Sequence, residues 1–213
     1  MIKTKVIFLM AFFCVAVMAV GCIDEFKTEE APIPTTVPTL VPTGTIVPTT
    51  PTIDKEEFID KYAEASEIFW YDSYEPELKG NEYEILASSY YDNEQFNKAE
   101  ERYHEAAESY SKSKEQILEA KALFEEAYEI APTEYYKELC ELYISAAQSN
   151  AKSLEYLSSA MEHMGKACDY YEKGDYIVGD EEVEEQGKDI IRYNMQIDTY
   201  NTLVEKIDEI EWR

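Results

Sequence analysis

Apolar residues recur through the middle of the chain at alternating spacings of three and four, the heptad pattern of a helix that buries one stripe. Large residues occupy one core position and small residues the other. Pro132 ends the pattern, because proline has no amide proton for a helix hydrogen bond. A long helix is therefore predicted from Phe96 to this proline. Its core positions, the first seam, are Phe96, Ala99, Tyr103, Ala106, Tyr110, Ser113, Ile117, Ala120, Phe124, Ala127 and Ala131.

A second apolar stripe follows Thr133, a suitable N-cap because its hydroxyl can accept a hydrogen bond from the first turn. A parallel apolar row widens this stripe, which indicates a helix that contacts more than one neighbour. Gly174 ends the pattern. The second seam is Tyr136, Cys140, Tyr143, Ala147, Asn150, Leu154, Leu157, Met161, Met164, Cys168 and Tyr171, and the parallel row is Leu139, Leu142, Ala146, Ala160 and Ala167.

Three further segments have helical periodicity. One helix is expected from Asp54, a shorter one over about residues 81–91, and a last one from about Asp180. No segment shows the period of two that a half-buried strand requires. We therefore predict an all-α domain over residues 53–213, a bundle of about five helices, two or three of them long. The inward-facing positions of the first and last helices are Phe58, Ile59, Tyr62, Ile68, Phe69, Val183, Ile190, Ile197, Val204 and Ile207.

Two predicted helix–turn–helix junctions are alike, at residues 87–96 and 167–176, an offset of 80 residues. The apolar spacing around the first junction resembles a tetratricopeptide repeat unit, and the segment that ends at Pro132 resembles the end of another. The chain between them continues as helix without a turn. The resemblance implies a tetratricopeptide-like corner on long helices rather than a repeat array. The residues that carry it are Tyr83, Leu86, Ala87, Tyr90, Ala99, Tyr103, Ala106, Ala120, Phe124 and Ala127.

The N-terminus is typical of a processed leader. Lys3 and Lys5 precede an uncharged apolar stretch over residues 6–20, which is short for a transmembrane helix. The stretch ends in Ala-Val-Gly-Cys22, which resembles the lipobox of bacterial and archaeal lipoproteins. That resemblance implies cleavage after residue 21 and acylation of Cys22, with chains such as palmitate, on the outer face of the cell membrane. An uncleaved anchor helix or an ordinary signal peptide are the alternatives.

Residues 22–52 are expected to form a stalk. Positions 32–52 contain six prolines and eight threonines and no charged residue. Proline fixes φ and pushes the preceding residue towards extended geometry, so the segment should be a semi-extended spacer. The anchor and stalk together resemble the front end of archaeal and Gram-positive surface lipoproteins.

The predicted domain is strongly acidic. Three of the 19 basic residues and four of the 45 acidic residues precede it, which leaves 16 positive and 41 negative charges and a net charge of −25. Nucleic acid and anionic lipid headgroups are excluded as simple electrostatic partners, because both require a basic face. The carboxylates either coat solvated helix faces or attract cations or a basic partner.

Candidate chemistry is sparse. Glu101 and His104 have the Glu-x-x-His spacing of di-metal bundles, but the motif does not recur. The acidic run over residues 179–185 lacks the alternating ligands of an EF-hand loop. Cys140 and Cys168 lie 28 positions apart on one predicted helix, too far for a disulfide, and are expected to be buried thiols. Without a phosphate loop or a nucleophile motif, we predict no catalytic residues, metal ligands or cofactor, and no enzyme.

Adjacent tyrosines are the remaining candidates for binding. Tyr90 and Tyr91, and likewise Tyr170 and Tyr171, cannot both face one seam, and one residue of each pair should remain near a helix end. Amphipathic rings in such places suit recognition of a partner. The hypothesis is a lipid-anchored module that binds a protein or envelope-polymer partner or has a structural role in the envelope. The alternative is an extracytoplasmic accessory subunit that binds a small ligand or a cation.

The lipidation hypothesis can be tested with the substitution Cys22→Ser. Without a thiol at this position the chain cannot carry thioether-linked lipid, so it should leave the detergent phase and lack the acyl mass in mass spectrometry. A variant that keeps the lipid and the detergent partitioning of the wild type would contradict the hypothesis.

Overall fold

The structure, a computed structural model, describes residues 55–211, which form an all-α bundle with no β-strand among them. The all-α prediction is confirmed. The predicted signal peptide, Cys22 and the stalk lie outside the described residues. Within the described range, none of the helices combines the length and apolar character that crossing a bilayer requires. The elements are α1 (Lys55–Glu67), a π-helical turn (Ile68–Asp72), α2 (Tyr74–Asp92), α3 (Phe96–Glu129), α4 (Glu134–Glu172) and α5 (Tyr176–Glu211).

The π-helical turn makes α1 and α2 one bent helix. Counted in this way the described residues contain four helices, where about five were expected. The Ser73 amide donates to the Ile68 carbonyl oxygen, five residues back, at 3.1 Å. The Ser113 hydroxyl of α3 donates to the Ser73 carbonyl oxygen at 2.7 Å and so fixes the bend. The expected short helix over residues 81–91 was wrong at its start, because α2 begins at Tyr74, directly after the bend.

The two predicted seams form the centre of the bundle. Residues of the first seam are buried from Ala99 onward, and Phe96 is half-buried. In the second seam only Tyr136, in the first turn of α4, is exposed. Phe124 of α3 stacks on Tyr143 of α4, with ring centroids 4.5 Å apart and planes 14° apart. The heptad prediction is confirmed, and α2 and α5 pack on the outer sides of this central pair.

Short turns join the helices. The Thr133 hydroxyl accepts the Tyr136 amide at 3.4 Å, which confirms the predicted cap of α4. α5 begins at Tyr176, four residues before the predicted start at Asp180. The reason is that Asp175 provides the cap: its carboxylate oxygen accepts a hydrogen bond from the Val178 amide at 3.4 Å.

The two junctions that are alike in sequence also share backbone hydrogen bonds. The amide of Gln95 donates to the carbonyl oxygen of Tyr90 at 2.9 Å, and the amide of Asp175 donates to that of Tyr170 at the same distance. Both turns pass through the left-handed region, which glycine adopts without steric cost. The residues in that region are Glu94 (φ 56°) and Gly174 (φ 79°). Gly174 thus ends α4 as predicted.

Burial of the remaining predicted positions follows helix geometry with one exception. Phe58 and Phe69 lie in the core, whereas Ile59 is 59 % exposed and its inward assignment was wrong. It directly follows Phe58, and adjacent helix residues face different directions. On α5, Ile207 is buried, and the other four predicted positions are half-buried: Val183, Ile190, Ile197 and Val204.

The two cysteines of the bundle are buried thiols of α4, as expected. Burial raises the pKa of Cys140 to about 11 and that of Cys168 to about 12, so neither is a thiolate at neutral pH. Their place in the second seam gives them a packing role.

The substitution Phe124→Ala tests the central packing. Removing this fully buried ring should lower the free energy of unfolding by about 3–5 kcal/mol, through lost transfer energy and the cavity left behind. The measurement is the denaturant midpoint. Leu118→Ala on the same helix is the matched control, because Leu118 is 42 % exposed and should change the midpoint little. Equal effects of the two substitutions would contradict the packing described.

Candidate functional site

An open cleft lies where the bent helix meets α4 and the end of α5. Its volume is about 510 Å³, and aromatic side chains from three helical segments line most of it. We call it the aromatic cleft. Its lining residues are Tyr62, Ala63, Ser66, Glu67, Trp70, Tyr71, Tyr143 and Glu211.

The π-helical turn positions three consecutive aromatic residues in three environments. Phe69 is buried in the core, with its ring edge-on to Tyr143 at 5.5 Å. Trp70 is half-buried in the wall of the cleft, and Tyr71 is 74 % exposed at its rim. Residues adjacent on a helix cannot share one face, so the bend supplies a core anchor, a wall and an exposed ring in succession.

A hydrogen-bond network organises the floor of the cleft. The Trp70 indole donates to the Tyr143 hydroxyl at 3.3 Å. The Tyr143 and Tyr62 hydroxyls donate to the same oxygen, Oε1 of Glu211, at 3.0 and 3.2 Å. Burial raises the pKa of both tyrosines, so the hydroxyls stay protonated and act as donors. The Glu211 carboxylate is thereby held at the mouth of the cleft.

The cleft is anionic as well as aromatic. Glu67 and Glu211 line it, and no basic side chain does so within the described residues. Lys61, on the same helix as Glu67, forms its ion pair with Glu126 of α3. This arrangement can accept a positive group and place it against ring faces.

The tyrosines proposed from sequence lie at the turns between helices. Tyr91 and Tyr171 come together, with ring centroids 6.0 Å apart. Tyr171 is only 8 % exposed, and its hydroxyl donates a hydrogen bond to Asp180 at 2.8 Å. This ring therefore has a packing role and is not available to a partner. Tyr90 and Tyr170 are half-buried. Part of each ring therefore remains accessible.

Sequence reasoning did not find the aromatic cleft. Trp70 and Tyr143 lie 73 positions apart, and Tyr143 and Glu211 lie 68 apart, so no local pattern connects them. The run Phe69-Trp70-Tyr71 was the one available signal, because three adjacent aromatic residues exceed what a single helix face can bury.

The candidate metal chemistry has no support in the described range. His104 and Glu101 have side chains 52 % and 63 % exposed, on the surface of α3. Within residues 55–211 no three histidine, cysteine, aspartate or glutamate side chains are grouped to hold a metal ion.

A network that sequence reasoning missed connects α4 with α5. His163 Nδ1 lies 2.6 Å from a Glu182 carboxylate oxygen, and its Nε2 lies 3.9 Å from Asp189. Asp189 is buried and accepts a hydrogen bond from Arg192 at 2.8 Å. Glu182, part of the acidic run over residues 179–185, thus serves a contact between helices.

A second open cleft lies between α4 and α5, and most of its lining residues have polar side chains. Its volume is about 400 Å³, and Ser149 on its wall donates to the Gln196 carbonyl oxygen at 2.9 Å. Two lysines, Lys121 and Lys152, lie at its edge. It contains none of the aromatic walls that distinguish the first cleft.

Two carboxylates of α2 face inward without a basic partner among the described residues. Burial raises the pKa of Glu77, and it also raises the pKa of Glu84, which accepts the Tyr110 hydroxyl at 2.8 Å. On α5, burial and then the charges of Glu77 and Glu84 raise the pKa of Tyr193 to about 12. Desolvated glutamates of α2 therefore lie near tyrosines of α3 and α5.

Comparison with known proteins adds no relative to these observations, because no protein-family model, curated protein or solved structure matches the chain.

Substituting Glu77→Gln should stabilise the protein at neutral pH. Burial raises the pKa of Glu77, so the folded state binds its proton more tightly than the unfolded chain does. The loss of stability caused by the ionised carboxylate is therefore absent below the unfolded pKa and grows as pH rises through the folded pKa. We expect a gain on the order of 1 kcal/mol at pH 7.5 that shrinks towards pH 4. Thermal unfolding at both pH values measures it. Exposed Glu82→Gln is the control, and an equal gain from it would contradict the assignment.

Proposed function

We propose that this protein is a lipid-anchored surface module that binds a protein partner through the aromatic cleft and the adjoining face of α2. The observation that carries the proposal is a series of exposed apolar side chains that runs from the cleft along α2. Tyr71 lines the cleft and, at spacings of three, four and seven, is followed along the helix by Tyr74, Leu78 and Ile85. We call these four residues the α2 stripe.

The four large apolar side chains of the α2 stripe are exposed to solvent and are not needed for packing. Its side chains are 74, 54, 42 and 56 % exposed in chain order, and α-helical spacing places the last three on one face of α2. Exposed contiguous apolar surface rimmed by charge is typical of interaction sites. Tyrosine and tryptophan are also the residues that most often dominate binding energy at protein interfaces.

The remaining features fit a binding role better than catalysis. Both described clefts are open, whereas the alternative of a small-ligand subunit predicts an enclosed polar pocket. Acylation at Cys22 would fix the protein to the membrane, and the stalk would extend the reach of the bundle by up to roughly 90 Å. The proposed tetratricopeptide-like corner, formed by α2 and α3, would belong to the same binding module.

A photo-reactive phenylalanine analogue at position 71 of the full-length anchored protein tests the proposal. Irradiation in native membranes should give one discrete protein adduct, since Tyr71 belongs to both the cleft and the stripe. Leu78→Glu, on the exposed stripe, should abolish the adduct without unfolding the bundle. Thermal unfolding of that variant supplies the folding control.

Position 176 provides the matched control. Tyr176 is 61 % exposed and stacks on Tyr171, next to the tyrosine pairs that the sequence favoured. An adduct from position 176 alone would move the binding surface to those pairs. If neither position forms an adduct, the proposal of partner binding is contradicted.

A further inference from the structure

Aromatic rings and carboxylates both line the aromatic cleft. Trp70 packs edge-on against Phe69 and Tyr143, with centroid distances of 4.8 and 6.2 Å. Its orientation is therefore fixed from two sides, while Tyr71 stands at the rim. The face of an aromatic ring carries negative electrostatic potential, which attracts a cation placed above it.

Within the described residues, the two carboxylates of the cleft can still accept an ion pair or a further hydrogen bond. Neither Glu67 nor Glu211 forms an ion pair there, although most lysines of the bundle do. Tyr62 and Tyr143 both donate to Oε1 of Glu211, and Oε2 accepts no hydrogen bond from the described residues. One oxygen holds the group in place, and the other is available to a ligand.

We infer that the aromatic cleft binds the guanidinium group of an arginine on a basic, amphipathic segment of the partner. The inference rests on the proposed function and adds the chemistry of the ligand. A guanidinium is planar and always charged, so it can stack on Trp70 or Tyr71 while it donates to a carboxylate. The segment's apolar residues would contact the α2 stripe.

Charge complementarity favours a basic polypeptide segment as the ligand over an acidic or a neutral segment. Glu75 and Glu82 are exposed at helix spacing among the residues of the α2 stripe, and the basic residue between them, Lys79, is paired with Glu75 at 2.7 Å. The surface that continues from the cleft is therefore apolar with an anionic border. A helix with an apolar face and basic flanks matches that border, and one arginine at its end would reach the cleft.

Two matched peptides test the inference on the full-length protein in detergent. The first is an amphipathic helical peptide with leucines at heptad spacing, lysines on its flanks and one arginine near its end. The second replaces that arginine with citrulline, which keeps the shape and removes the charge. Calorimetry should give the arginine peptide a dissociation constant roughly tenfold lower.

Protein variants locate the effect. Glu67→Gln should remove most of the difference between the two peptides, and Tyr71→Leu should reduce it. Glu64→Gln is the control, because Glu64 is exposed on the same helix, does not line the cleft and changes the net charge equally. Trp70 fluorescence in a Trp212→Phe background should shift only with the arginine peptide.

Three results would overturn the inference. They are the absence of binding by either peptide, equal affinity for the two, and an equal loss from Glu67→Gln and Glu64→Gln. If tetramethylammonium alone saturates the Trp70 signal at lower concentration than the arginine peptide, the cleft is a small-cation site instead. Adduct formation from position 71 together with equal peptide affinities would leave partner binding standing and reject only the arginine.

Discussion

Close packing between α3 and α4 is the contact on which the other helices depend. Alternation of large and small seam residues lets the two helices approach along most of their length, and Phe124 stacks on Tyr143 within that contact. The bent helix then packs its own rings onto this stack. The ring centroids of Tyr62 and Phe124 are 5.7 Å apart, and those of Phe69 and Tyr143 are 5.5 Å apart. The aromatic cleft is the outer edge of that arrangement, because Tyr62 and Tyr143 belong both to the packed rings and to the lining of the cleft.

Buried tyrosines give the acidic residues a structural use. Each ring fills space as a core residue does, but its hydroxyl needs an acceptor, because an unpaired buried donor is costly. The Tyr110 hydroxyl lies 2.8 Å from oxygens of both Asn81 and Glu84, and its ring lies against Gly80, where an added Cβ would meet it at 2.5 Å. Tyr171 and Gly179 repeat this arrangement, with Asp180 as the acceptor. Some of the carboxylates are therefore acceptors for tyrosine rather than a solvated coat.

The parts of the fold predicted from sequence are those in which burial and helix period agree. Both seams satisfy this condition over many turns, and Thr133 and Gly174 act through their own local geometry. α2 does not satisfy it, because its inner face carries glutamates while its outer face carries the α2 stripe, which obscures the hydrophobic pattern. The candidate site escaped prediction for a different reason. Its floor requires Trp70, Tyr143 and Glu211 to meet, and only tertiary packing brings them together.

The net negative charge of the bundle affects which molecules can associate with the α2 stripe. Two copies that approached through the α2 stripe would each bring a domain with a net charge of −25, so repulsion opposes self-association there. The same field would attract a basic segment and raise its association rate, and in the proposed complex contacts with the stripe and cleft would set its dissociation rate. Because Ser113 holds the bend from α3, the proposed binding face would need little ordering to receive a partner. If the proposed function holds, the charges around the stripe would make an exposed apolar surface selective for a basic partner.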